Sequence, residues 1–156
     1  MNIEYINPFI EASQSVLKTA ADMSVRLGKV YIRSAPFEAG TPLIEVGLIG
    51  KIHGTGQLSI PVELAKKIVS RMMGGMEVGV LDELAVSALS ELANMIMGNT
   101  ATILYNRGIG IDITTPKMTF GDGKKSLPPD TRTISVPLMI DGDGVMELNI
   151  SVMAAA

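Results

Sequence analysis

The chain repeats itself, and the repeat restricts its fold more than any other feature. Sliding the sequence by 80 places Glu11 on Glu91, Gln14 on Asn94, Ala21 on Ala101, Gly28 on Gly108 and Pro36 on Pro116. Sliding it by 90 places Ile44 on Ile134, Val46 on Val136, Leu48 on Leu138, Leu58 on Leu148 and Ile60 on Ile150. The change of offset falls in the Pro- and Gly-rich stretch after Pro116. In both copies a helix, a short strand, a proline and a long hairpin follow one another. Two such sets predict an α+β fold: one six-stranded, largely antiparallel sheet with pseudo-two-fold symmetry, covered by the apolar stripes of packed helices. All 156 residues then form a single domain, with half-repeats at about 7–62 and 87–153. A linking helix at about 61–74 has no counterpart after Val152.

Local signals place the elements. Asn7 can cap a helix whose first turn holds Pro8 and which ends before Gly28. Lys29 to Ser34 is short and partly β-branched, a strand ending before Pro36. Ile44 to His53 alternates, Gly54-Thr55-Gly56 reads as a turn, and Gln57 to Ile60 returns as the hairpin partner. Pro61 to Met73 is helical and stopped by Gly74-Gly75. Leu81 to Arg107 is the longest helix. Ile109 to Thr115 is a strand stopped by Pro116, and Lys117 to Asp130 reads mostly as loop. Thr131 to Ile140 and Val145 to Met153 close the chain as a hairpin about the turn Asp141-Gly142-Asp143-Gly144.

The long helix has one apolar stripe, with Ala85, Leu89, Leu92 and Ile96, and one polar stripe, with Glu83, Ser87, Glu91, Asn94 and Gly98. The polar stripe sets a carboxylate and a carboxamide one turn apart. Asn inside a helix competes for backbone hydrogen bonds and costs about 0.5 kcal/mol relative to Ala. An ordinary solvated face favours Lys, Gln or Ala there, so Asn94 points to a function.

Composition removes other classes. The formal charge of −3 gives no basic footprint for nucleic acid. Without cysteine there is no disulfide, thiolate nucleophile or thiolate metal site, and the single His53 excludes any site needing two histidines. His53, at a strand end, is better explained structurally than as a base. Asp141 to Gly144 lacks the later acidic residue of a Ca²⁺ loop. Five methionines, Met72, Met73, Met76, Met95 and Met97, can fill core or make an adaptable partner surface. No run of about 18 apolar residues suggests a membrane span. Glu4 and Glu11 precede any apolar run, which argues against a signal peptide. A cytoplasmic protein is expected.

Ser87, Glu91-Leu92-Ala93-Asn94, the continuation Met95 to Asn99, the spacing to Pro116 and the hairpin from Gly47 to Ser59 together resemble the CheC/CheX/FliY family of chemotaxis phosphatases. The resemblance covers nearly the whole chain. It implies hydrolysis of the aspartyl phosphate on a phosphorylated CheY-type response regulator, with Mg²⁺ supplied by that receiver and no cofactor of this chain's own. It implies that Asn94 orients the attacking water, that Glu91 docks onto the receiver's lysine, that Ser87 assists and that Pro116 fixes the neighbouring strand end. It also implies a homodimer. Gln14 stands where two-site members of the family carry a second Asn. One active site is therefore expected, and Glu11 and Gln14 become a relic, a surface turn or a subunit contact. A non-catalytic adaptor binding a receiver or a flagellar-switch partner with the same face is the alternative, and a structural sheet module that self-associates by an edge strand is a third reading.

Overall fold

The structure is a computed structural model and describes residues 5–123, 131–140 and 142–153. Its elements run α1 (Ile6–Ala21), β1 (Val25–Leu27), β2 (Tyr31–Arg33), β3 (Pro42–Gly50), β4 (Gly54–Ser59), α2 (Val62–Met72), α3 (Glu83–Asn106), β5 (Ile111–Ile113), β6 (Lys117–Phe120), β7 (Thr131–Ile140) and β8 (Gly144–Met153). The expected α+β architecture is present, but the sheet has eight strands among the described residues rather than six. Its order is β1-β7-β8-β4-β3-β5, with β2 also on β7 and β6 also on β3, and every pairing is antiparallel.

The two extra strands are β1 and β6. At three and four residues they are too short to show alternation. The expected first helix overran β1 because no Gly or Pro lies between Pro8 and Gly28. The actual stop is Asp22, which adopts the left-handed conformation (φ 51°, ψ 44°). Its N–H donates to Lys18 O at 3.1 Å and that of Met23 to Leu17 O at 3.1 Å, so the last carbonyls are satisfied as glycine caps usually satisfy them. At the other end Tyr5 takes the N-cap position without a side-chain hydrogen bond. Asn7 is therefore not the cap; it lies exposed within the first turn.

Gly54 and Gly56 are likewise not a turn. They lie within β4, and Lys51 to His53 make the reversal. A Cβ on Gly54 would meet Ser151 O at 1.9 Å, and one on Gly56 would meet Met97 Sδ at 2.6 Å. These glycines admit the neighbouring strand β8 and the core side of α3, a demand that reads like a turn in sequence. Lys117 to Phe120, expected as loop, pairs with β3. The rest of that expected loop, 124–130, and Asp141 of the last turn lie outside the described residues.

All three helices lie on one face of the sheet. Even-numbered residues of the long strands, such as Ile44, Val46, Leu58, Val136, Leu148 and Ile150, meet Phe9, Leu17, Ile68, Leu89, Leu92 and Ile96, all fully or almost fully buried. Each such aliphatic side chain contributes about 1.5–3 kcal/mol. The opposite face carries a polar network. Ser135 Oγ donates to Asn149 Oδ1 at 2.7 Å, and Asn149 Nδ2 donates to Ser59 Oγ at 3.1 Å and Gln57 Oε1 at 3.3 Å. Arg33 bonds Glu147 and stacks on Phe37 at 4.4 Å.

The short strands lie on strands distant in sequence: β1 and β2 on β7, β5 and β6 on β3. Gly28 N–H donates to Pro137 O at 2.9 Å, and Thr114 N–H to Gly47 O at 3.0 Å. The short strands correspond at an offset of 111 − 25 = 117 − 31 = 86. At that spacing Pro116, which precedes β6, falls on Val30, whereas Pro36 follows β2.

Candidate active site

Helix α3 begins where Asp82 accepts the Ala85 N–H at 2.9 Å, a side-chain cap worth about 1 kcal/mol. From that start its apolar stripe enters the core, with Leu89, Leu92, Ala93, Ile96 and Met97 at zero exposure. Burial on that side fixes what the other side shows: Ser87 and Glu91 are exposed and Asn94 is half-buried. Three residues apart, Glu91 and Asn94 are separated by about 4.5 Å along the axis.

These side chains form one wall of an open cleft of about 620 Å³. Val86, Ser87, Ser90, Glu91 and Asn94 come from α3, and Ile113, Thr114, Thr115 and Pro116 from the end of β5 and the step into β6. The four residues singled out in the sequence are thus brought together, although Pro116 lies well beyond the end of the helix that carries Asn94. Ser90, Thr114 and Thr115 are lining residues that sequence reasoning missed. Thr114 is placed by a glycine: its Oγ1 accepts the Gly47 N–H at 2.7 Å, and a Cβ on Gly47 would lie 2.9 Å from that oxygen. Only knowledge of the β3–β5 pairing reveals that requirement.

Among the described residues Glu91 is the only charged one in the lining. Among the described residues, neither Glu91 nor Asn94 has a side-chain hydrogen bond or ion pair, and the Asn94 carboxamide faces the cleft with both its donor and its acceptor available. The corresponding residues of α1 are occupied. Glu11 accepts from Arg107 at 3.3 Å, and Gln14 Nε2 makes a long 3.5 Å contact to Val25 O. Among the described residues no three His, Cys, Asp or Glu side chains are grouped as metal ligands, and no helix is long and apolar enough to cross a membrane. His53 is exposed in the β3–β4 turn, away from the cleft lining.

Known proteins are similar to this chain in sequence and in fold. The sequence model of the family Chemotaxis phosphatase CheX matches residues 43–139. The CheY-P phosphatase CheX of Thermotoga maritima is 31% identical over 152 residues, 97% of each chain. A CheC-like superfamily protein from Shewanella sp. PV-4 superposes with a TM-score of 0.86 at 25% identity, covering 99% of this chain and 100% of that one. A chain of the CheX–CheY–BeF3–Mg²⁺ complex from Borrelia burgdorferi superposes with a TM-score of 0.82 at 26% identity, covering 98% of this chain and 100% of that one. By the family match and the relative that spans almost its whole length, the chain belongs to the CheX family of chemotaxis phosphatases.

Proposed function

We propose that this protein hydrolyses the aspartyl phosphate of a phosphorylated CheY-type response regulator, using the α3 cleft. The observation that carries the reading is the Asn94 carboxamide, unpaired among the described residues, in a cleft where Glu91 is the only charged residue among them. The name of the Thermotoga relative and the receiver-bound Borrelia complex support the choice of substrate.

An aspartyl phosphate is a labile mixed anhydride, and the receiver's own Mg²⁺ and lysine neutralise its oxygens. The missing component is a water held in line with phosphorus. A carboxamide is no base near neutral pH, but it can hold a water by donating and accepting at once. Asn94 thus orients the water. The water oxygen bonds to phosphorus, the bond to the aspartyl oxygen breaks, and aspartate and inorganic phosphate leave, the water's proton passing to phosphate or solvent. Glu91 pairs with the receiver's lysine and fixes the docking register. Ser87 supports the register at the N-terminal end of the stripe, and Pro116 holds the opposite wall. Mg²⁺ belongs to the receiver.

In the same reading the chain is one domain of two half-repeats joined by α2, acts in the cytoplasm beside its receiver, and pairs as a homodimer. The exposed Leu27, Tyr31 and Ile32 along β1 and β2 support such pairing, which sedimentation tests. Phosphate release from phospho-receiver by wild type and Asn94→Ala tests the chemistry. Loss of turnover with retained binding is expected; undiminished turnover would sink it.

A further inference from the structure

Three apolar side chains beside the cleft are left in solvent. Val80 is 69% exposed, Leu84 52% and Met76 47%. With Val69, Met73 and Val78 they line a groove of about 280 Å³ between the end of α2, the linker and the start of α3. The groove is large enough for one aliphatic or aromatic side chain, and its methionines can adapt to the shape of that side chain.

Leu84 joins this groove to the active-site face. It precedes Glu91 by almost two whole helical turns, so it lies on the same line of α3 about 10.5 Å away. Glu77, Asp82 and Glu83 flank the groove and continue the acidic character of Glu91. A second copy of this chain would bring like charges face to face. A partner that presents a lysine beside an apolar side chain complements both features.

We infer that this groove is a second contact for the receiver, taking one large apolar side chain from the receiver's surface while the α3 cleft engages the phosphorylated aspartate. The inference rests on the proposed function and adds a specificity element to it. Cleft chemistry is shared by any receiver with a phosphoaspartate, Mg²⁺ and lysine, whereas the groove selects receivers with an apolar residue at the right distance.

The test is Val80→Ser with Leu84→Gln. Both positions are exposed, and Gln is as good a helix former as Leu, so the unfolding midpoint stays unchanged. The affinity for the same cell's CheY-type receiver, activated with beryllofluoride and Mg²⁺, is read by calorimetry. The double variant is expected to bind about tenfold more weakly, with kcat on saturating phospho-receiver unchanged. Val80→Leu with Leu84→Met keeps wild-type affinity. Affinity of the Ser/Gln variant within twofold of wild type overturns the groove contact and leaves the phosphatase reading standing. Tight binding by wild type without hydrolysis overturns the phosphatase reading, and the affinity comparison still decides the groove. No binding by wild type overturns both.

Discussion

Replacing Asn94 with Ala should make the protein more stable and nearly inactive at once. Among the described residues the carboxamide has no hydrogen-bond partner, so its removal orphans no group. The Cβ remains, and Ala is the better helix residue by about 0.5 kcal/mol. For a chain of 156 residues the unfolding entropy is about 0.33 kcal/mol per kelvin, which converts that gain to a midpoint rise of about 1.5 °C. Against it stands the loss of the only group proposed to align the water. Misplacing a reactant by an ångström costs about a hundredfold, and losing one preorganised hydrogen-bonding group costs about 10²–10³ in turnover. Single-turnover phosphate release from phospho-receiver measures the second effect and calorimetric melting the first. Turnover within threefold of wild type would refute the role of Asn94. A midpoint lowered by several degrees would show that the side chain is there for the fold.

Glu91→Ala should raise KM for phospho-receiver about tenfold with a smaller change in kcat, and the wild-type KM should rise with salt more steeply than the variant's. Gln14→Asn should leave turnover per chain unchanged; a doubled kcat would mean that α1 can form a second site. Asn149→Ala strips Ser59, Gln57 and Ser135 of their shared partner and should cost about 2–3 kcal/mol in denaturant unfolding while kcat is kept. Burial raises the Tyr31 pKa above its ordinary 10.0, helped by the hydrogen bond to Glu147 and that carboxylate's charge. The folded state therefore holds the phenol proton more tightly than the unfolded state, so stability should fall as pH climbs past about 10. Tyr31→Phe should remove that component of the alkaline loss, as urea midpoints across the range will show.

How far the sequence was legible depends on whether a signal is local. The stripe on α3 is local, because helical period and the burial of Leu89, Leu92 and Ile96 decide which way Glu91 and Asn94 point. The hairpins are legible through alternation. Gly54 and Gly56 read as a turn because a close approach and a turn demand the same residue: Gly54 yields to the Ser151 carbonyl and Gly56 to Met97, both distant in sequence. β1 was hidden because Asp22 ends α1 in a conformation usually left to glycine. The far wall of the cleft, Thr114 to Pro116, is set by pairing with β3 and by the missing Cβ of Gly47, and neither is written near Asn94.

Among the described residues the surroundings of Gln14 and Asn94 differ by more than the one methylene between Gln and Asn. Beyond Gln14, α1 continues only to Ala21, and β1 begins at Val25. Beyond Asn94, α3 continues to Asn106, and β5 begins at Ile111. The longer run past Asn94 adds more than a full helical turn and carries the reversal of the chain about 7.5 Å further along the axis. On α1 the returning strand comes back close enough for its Val25 carbonyl to reach the Gln14 amide, and Arg107 at the end of the longer helix reaches across to Glu11. On α3 the return leaves the cleft between Asn94 and Pro116. The same extra length of α3 places the cation that pairs with the α1 carboxylate, so a backbone difference accompanies the side-chain one, and Gln14→Asn alone should not create a second site.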